Sequence, residues 1–268
     1  MAKRLLVVPD VHGRTFWKEP VRKYMGLVDR MVFLGDYLDP YRDEGVEYTP
    51  EGLYENLLEI IGLKTENPGK VILLKGNHDQ HYSSEIFYEQ ACGTRCDMRN
   101  WHKYHELFQA NRALFQLAHS EPLKGTTYVF THAGLTDYWL NKVNGKVWHL
   151  PDGEVSLTDP ALIDKLNQLD DDGLGQQMLS VVGRRRSWLG EKSGSMLWAD
   201  IAEHPLPNAP KVYGLDQVFQ VFGHTRLDGQ ATDMVAFDHL AMIDTQQCFI
   251  IDEAGAGAIV PVKDYQQG

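Results

Sequence analysis

Asp10 and His12 stand two residues apart, a spacing that turns both side chains to the same side wherever the backbone is extended. A carboxylate and an imidazole so placed are ligand-type groups for a divalent cation. The pair alone is common by chance. Asp36, behind Gly35, adds a carboxylate, and Gly76-Asn77-His78-Asp79 sets an amide, an imidazole and a second carboxylate in succession. Such a succession is hard to account for as a plain polar turn. His132 and His224 each follow an apolar run close to a glycine, where a single histidine is more often structural than a ligand. It is the set that points to metal chemistry.

The elements that must position these residues share one pattern. Leu5 to Val8, Met31 to Leu34, Val71 to Leu74, Tyr128 to Phe130 and Val218 to Phe222 are short apolar runs, and each runs straight into one of the polar clusters. Runs this short and this continuously apolar suit strands buried on both faces. Between the first three lie helical signatures. Thr49-Pro50-Glu51 reads as a cap, a first-turn proline and an acidic first turn, with Leu53, Leu57, Leu58 and Ile61 following on one face. Strand, helix and strand in alternation predict an α/β fold with parallel strands and right-handed crossovers. In such sheets ligands gather outside the carboxyl ends of the strands, so the five loops are expected to meet on one rim. Asn100 to His119 is expected to be one helix, with Leu107, Phe108, Leu114 and Phe115 on its packed face. Asp159-Pro160 opens another helix through Leu166 and Leu169. Val235 to Ile243 and Cys248 to Ile251 read as antiparallel strands. The expectation is one domain over 1–268, with 136–200 as an inserted or capping region.

Composition narrows the function classes. The 268 residues carry 43% hydrophobic and 24% charged side chains, as an ordinary globular protein does. With 26 basic against 37 acidic residues the formal charge is −11, which repels nucleic acid and anionic membranes, so neither is expected as a partner. Asp170, Asp171 and Asp172 read as solvated acidic surface. Cys92, Cys96 and Cys248 are too few for a disulfide framework; Cys92 and Cys96 read as thiols, or as half of a zinc site that no second pair completes. Leu5 to Val8 is too short for a signal core and no stretch reaches the roughly 20 apolar residues of a membrane span. A cytoplasmic protein is the expectation; the oligomeric state is left open.

Taken in order, Asp10-Val11-His12-Gly13, Gly35-Asp36-Tyr37-Leu38-Asp39, Gly76-Asn77-His78-Asp79, Thr131-His132-Ala133-Gly134, Leu197-Trp198-Ala199-Asp200 and Phe222-Gly223-His224-Thr225 resemble the motifs of calcineurin-like metallophosphoesterases. The likeness is greatest to serine/threonine phosphoprotein phosphatases and their bacterial relatives, diadenosine tetraphosphatases among them. Asp244-Thr245 is similar to a bacterial strand-end Asp-Thr-Gly, with Gln246 in place of the glycine. The resemblance spans most of the chain. It implies a four-layer α-β-β-α sandwich with the metal site at the carboxyl ends of the strands. It implies two divalent ions about 3.5 Å apart, with Asp36 bridging them, Asp10 and His12 on the first, and Asn77, His132 and His224 on the second. Oxygen and imidazole donors of this kind suit Mn²⁺ first, with Fe or Zn²⁺ also accommodated. The implied reaction is attack on phosphorus by a hydroxide held between the metals. His78 would protonate the leaving alkoxide, and Asp39 would hydrogen-bond His78.

The chain departs from the family where phosphate is clamped. Pro40-Tyr41 stands where phosphoprotein phosphatases carry Arg-Gly, with Arg42 just beyond, and Lys75 replaces an arginine before the third motif. Substrate contacts are therefore expected from among Arg42, Lys75, Tyr41 and Arg185, the last within the Arg184-Arg185-Arg186 triplet, which also reads as a solvated basic cluster. The expected substrate is a phosphomonoester, on a protein or a small molecule. The alternative is a dinucleoside polyphosphate, whose base Tyr37, Tyr41 or Tyr82 would stack unless those rings merely pack the rim. A binding module that keeps the metals without turnover is a third reading, disfavoured because every ligand and the acid are present.

Overall fold

In the computed structural model the five apolar runs all become strands. The structure describes residues 2–91, 94–151, 156–204, 213–226, 234–237, 239–255 and 257–266. Its eleven strands are β1 (Arg4–Val8), β2 (Arg30–Phe33), β3 (Val71–Leu74), β4 (Phe115–Gln116), β5 (Ala118–Leu123), β6 (Thr126–Thr131), β7 (Val218–Phe222), β8 (Val235–Phe237), β9 (Leu240–Met242), β10 (Phe249–Asp252) and β11 (Ile259–Pro261). They form two sheets, and with the helices make a mixed α/β fold. The chain divides into two compact units, Met1–Gln116 with Gln246–Gly268, and Leu117–Thr245.

The sheet of the first unit has the order β11-β10-β1-β2-β3-β4. β1, β2, β3 and β4 run parallel, and β10 is antiparallel to both β1 and β11. Val8 pairs with Phe33 and Phe33 with Leu73. The three central strands therefore end level, and the loops beginning at Pro9, Leu34 and Lys75 leave from one edge. The helices are α1 (Lys18–Tyr24), α2 (Pro50–Glu66), α3 (Asn77–Ser83), α4 (Tyr88–Ala91) and α5 (Trp101–Ala110). Thr49 caps α2 by accepting from Gly52 N at 3.1 Å, and Pro50 takes the first turn. Leu53, Leu57, Ile60 and Ile61 are its buried apolar face, each contributing roughly 1.5–3 kcal/mol. Leu58, expected on that face, points outward and is exposed.

The long helix expected over Asn100 to His119 stops at Ala110. The Asn111 side chain donates back to the Leu107 carbonyl, a short 3₁₀ turn covers Arg112–Leu114, and Phe115 then pairs with Leu73 as an edge strand. Sheet pairing overrides the helical spacing, with an asparagine that favours turns at the break.

In the second unit the order is β5-β6-β7-β9-β8. β5 and β6 form a hairpin closed by Lys124-Gly125, both with positive φ, the geometry a two-residue hairpin turn demands. β6, β7 and β9 are parallel, and β8 is antiparallel to β9. The helices are α6 (Asp137–Val143), α7 (Pro160–Gln168) and α8 (Gly173–Leu179). Trp139, Leu140, Leu162, Leu166 and Leu179 pack their core. Asp159 caps α7 as its Asp-Pro pair implies. Asp172, taken for mere acidic surface, caps α8 by accepting from Gly175 N at 2.7 Å. Of the segment 136–200, residues 152–155 lie outside the described residues. Cys96 and Cys248 are buried; Cys92 lies outside the described residues. Among the described residues, no helix is long and apolar enough to cross a membrane.

Candidate metal centre

Backbone strain marks the residues singled out by the sequence. Among the described residues, six non-glycine residues have positive φ: His12 (46°), Asp36 (51°), Asp39 (58°), His224 (66°), Lys124 and His149. The first four are expected site residues, and the left-handed conformation costs a side-chain-bearing residue about 1–2 kcal/mol. Strain of this kind persists where the surroundings over-determine it, which is common at functional sites. His12 is thus not on extended backbone. A sharp turn, rather than strand alternation, brings it beside Asp10.

Asp10, His12 and Asp36 form one buried cluster in the first unit, their ligand atoms all within 4.8 Å of one another. His12 Nε2 lies 3.5 Å from Asp36 Oδ2, and its Nδ1–H donates to the Leu38 carbonyl at 2.9 Å. Burial, only partly opposed by the Asp36 charge, pushes this imidazole well below its ordinary range. It is held neutral with one nitrogen committed and the other facing the carboxylates, the state a metal-ligating histidine needs. Backbone bonds from His12 N to Asp36 O (2.6 Å) and from Gly13 N to Tyr37 O (2.8 Å) zip the two loops together.

The third motif closes on the same carboxylate. His78 N donates to Asp36 Oδ1 at 2.9 Å, and Asn77 is buried at the start of α3. The approach is close enough that glycine is required on both sides. A Cβ on Gly35 (φ +104°) would lie 2.4 Å from Gly76 N, and one on Gly76 would lie 2.0 Å from Asp36 Oδ1. Asp79, fully buried, locks the junction by accepting from the backbone N–H of Asp36, Tyr37 and Gly76. Burial and the neighbouring Asp36 carboxylate push its pKa well above the ordinary carboxyl range, against the pull of those three donors.

His78 Nδ1 lies 2.7 Å from Asp39 Oδ2, and Asp39 Oδ1 accepts from the Tyr82 hydroxyl at 2.5 Å. Burial, reinforced by Asp39, raises the Tyr82 phenol far above its ordinary value, so it stays a donor. The ligand atoms of Asp39, His78 and His81 also lie within 4.8 Å of one another, and burial pushes His81 down to about 4. Arg95, which sequence reasoning missed, donates from Nη1 to the Asp39 carbonyl (2.5 Å) and from Nη2 to His78 Nε2 (3.1 Å). Its guanidinium lies over the Tyr41 ring, 3.5 Å from the centroid. No motif contains Arg95, and a lone arginine in a polar stretch carries no signal of its own.

The other substrate candidates are dispersed. Arg42 is exposed in a 3₁₀ turn, and Lys75 is buried at the end of β3. Tyr37 and Tyr82 are fully buried, Tyr37 donating to the Leu74 carbonyl at 2.8 Å. Only Tyr41 among the three tyrosines remains accessible in part.

In the second unit His132 follows β6 and His224 follows β7. His132 Nε2 and His224 Nδ1 face each other at 3.1 Å. Trp198 packs edge-on against His224, and Gly223 N donates to the His132 carbonyl. Arg186 donates to the His224 carbonyl (3.3 Å) and to Thr225 Oγ1 (3.0 Å), and pairs with Asp200 at 3.3 Å. Its cation is thus spent on holding the loop; Arg184 and Arg185 are exposed, as Arg186 itself is. Asp244 and Thr245 are buried just beyond β9.

These donor sets fit divalent cations. They are buried, mix carboxylate oxygen with imidazole nitrogen, and include a histidine whose tautomer is pinned by a backbone carbonyl. The family description "calcineurin-like phosphoesterase" matches residues 3–225. Among curated proteins the sequence has no match. Among solved structures, a mutant cold-active protein tyrosine phosphatase is similar at 14% identity and a TM-score of 0.55, covering 98% of this chain and 81% of that one. A serine/threonine phosphatase from Saccharomyces cerevisiae with similarity to human phosphatase PP5 aligns at 17% identity over 99% of this chain and 81% of that one, with a TM-score of 0.49. The phosphoesterase Yfce from E. coli aligns at 12% identity over 96% of each chain, with a TM-score of 0.36. At such identities the first likeness speaks for the fold alone, and the two lower scores carry no argument.

Proposed function

The chain belongs to the calcineurin-like phosphoesterase family and is a metal-dependent hydrolase of phosphate esters; on that premise we propose that its substrates are phosphomonoesters, on a protein or a small molecule. The observation that carries this reading is the buried pair of His78 Nδ1 and Asp39 Oδ2 at 2.7 Å, next to the ligand cluster of Asp10, His12 and Asp36. A positioned acid helps most when the leaving group is a poor alkoxide, as in an alkyl monoester.

The proposed metal-holding residues are Asp10, His12, Asp36, Asn77, His132 and His224, for two divalent ions, with Mn²⁺ the best suited. When bound, such ions polarise phosphoryl oxygens and make a water acidic enough to supply the nucleophile. The protein's own part is positional and protonic. The Leu38 carbonyl holds His12 in one tautomer, and the His78 backbone N–H fixes the Asp36 carboxylate. Asp39 accepts from His78 Nδ1 and orients the ring so that, when protonated, its Nε2–H goes to the departing alkoxide.

Metal-stripped protein with Mn²⁺ restored, assayed on a phosphomonoester, a phosphodiester and a dinucleoside tetraphosphate, tests the proposal. Mn²⁺-dependent turnover of the monoester above the others is expected. Preference for the tetraphosphate would replace it with the dinucleoside polyphosphate reading, for which Tyr41 is the base-stacking ring left. Two ions bound without turnover would make the chain a binding module.

A further inference from the structure

A phosphomonoester dianion placed against His78 needs a cation on its non-bridging oxygens, and the first unit offers few. Arg14 is already tied to the Glu44 carboxylate through two of its nitrogens. Arg42 projects from an exposed turn and Lys75 is buried directly after β3. Arg95 is different. Among the described residues no carboxylate lies within ion-pair distance of it, and its hydrogen bonds go to the Asp39 carbonyl and His78 Nε2. We propose that Arg95 is the phosphate-binding arginine of this enzyme, gripping the phosphoryl oxygens of the ester whose leaving oxygen faces His78. The inference rests on the phosphomonoesterase reading above.

Three features support it. The guanidinium plane is set in advance by stacking on Tyr41 and by the Nη1 bond to the Asp39 carbonyl, so little freedom is lost when an oxyanion docks. Its loop is anchored to the same acid machinery: Asp97 N donates to the Tyr82 hydroxyl at 2.8 Å, and that hydroxyl donates to Asp39. Finally, the Nη2 contact with His78 Nε2, at 3.1 Å, has no anion as its partner, whereas a phosphate oxygen would make it an ion pair. An arriving ester therefore draws the Nη2–H onto a phosphoryl oxygen. The same exchange uncovers His78 Nε2, which takes up a proton from solvent before it can give one to the leaving oxygen.

Inorganic phosphate is the probe. Its binding to Mn²⁺-loaded wild type, Arg95→Ala, Arg95→Lys and Arg42→Ala is measured by calorimetry, alongside metal content, melting temperature and monoester hydrolysis. Loss of one charged hydrogen-bonding partner should weaken phosphate binding by about 10- to 100-fold in Arg95→Ala. Two ions should stay bound, Arg95→Lys should lie between, and added guanidinium ion should restore part of the affinity in Arg95→Ala, a rescue that a merely structural role would not allow. Arg42→Ala should bind phosphate as wild type does. Wild-type phosphate affinity in Arg95→Ala with the metals bound overturns the proposal, as does a loss confined to Arg42→Ala. Should Arg95→Ala not fold, Arg95→Lys with unaltered affinity and no gain from guanidinium overturns it equally. If wild type itself neither hydrolyses monoesters nor binds phosphate, the parent reading fails and this one with it; if wild type does both, only the role of Arg95 is at stake.

Discussion

The Asp79 carboxylate accepts from the backbone N–H of Asp36 at 2.7 Å, and so fixes the residue whose own carboxylate lies at the heart of the ligand cluster. It takes the Tyr37 and Gly76 N–H groups as well, so one buried side chain holds the second motif against the third. Asp79→Asn keeps one oxygen but turns an NH₂ group toward a backbone N–H. Leaving a buried donor unmet costs about 1–3 kcal/mol, so the melting temperature should fall and bound metal with it. Differential scanning calorimetry and elemental analysis on one preparation check both.

Gly35→Ala and Gly76→Ala should fail for different reasons. A methyl on Gly35 meets the backbone of Lys75 and Gly76, which cannot yield without parting the loops, and denaturant unfolding should show a loss of about 3 kcal/mol. A methyl on Gly76 strikes Asp36 Oδ1, so metal affinity should fall further than stability does. Equilibrium dialysis against Mn²⁺ separates the two.

His78→Asn should spare metal content and cut turnover of an alkyl phosphate by about 10²- to 10⁴-fold, the range of a positioned acid. Asp36→Asn should lose metal and rate together. Full activity on alkyl phosphates in His78→Asn would remove the acid assignment.

Acid should destabilise the first unit through His81. Its folded value of about 4 lies below the ordinary 6.5 because the ring is buried. Between those values the unfolded chain takes up a proton that the folded one refuses, so stability falls as pH drops through that window and levels off below it. From about pH 7 to about pH 5 this single group should remove about 2 kcal/mol. Urea titrations at the two pH values should show His81→Gln losing correspondingly less than wild type.

The strand-end clusters of ligand-type residues were legible because their signal is local: a buried strand announces itself by its apolar run, and polar groups directly behind it need a reason. Caps were legible for the same cause at Thr49 and Asp159. What escaped depends on distant partners. Phe115 belongs to a strand because Leu73 is there to pair with it, which no periodicity between Asn100 and His119 records. Leu58 matched the helical spacing and still faces outward, since a spacing fixes a stripe only to within one position. Asp79 and Tyr82 were visible as residues but not as braces, and Arg95 shows itself only through its contact with His78.

The place of β10 has a consequence for how the protein is made. β1 lies between β2, which follows it closely in the chain, and β10, whose register pairs Arg4 with Asp252. On the ribosome the first strand therefore waits for one flanking partner until nearly 250 residues later, while the intervening unit, Leu117–Thr245, is an unbroken stretch that can collapse as it emerges. Until then one hydrogen-bonding edge of β1 stays open, an invitation to mispairing of nascent chains. The order of maturation is the reverse of the order of synthesis: the unit translated second completes its fold first, and the cluster of Asp10, His12 and Asp36 stands on a sheet finished only near the end.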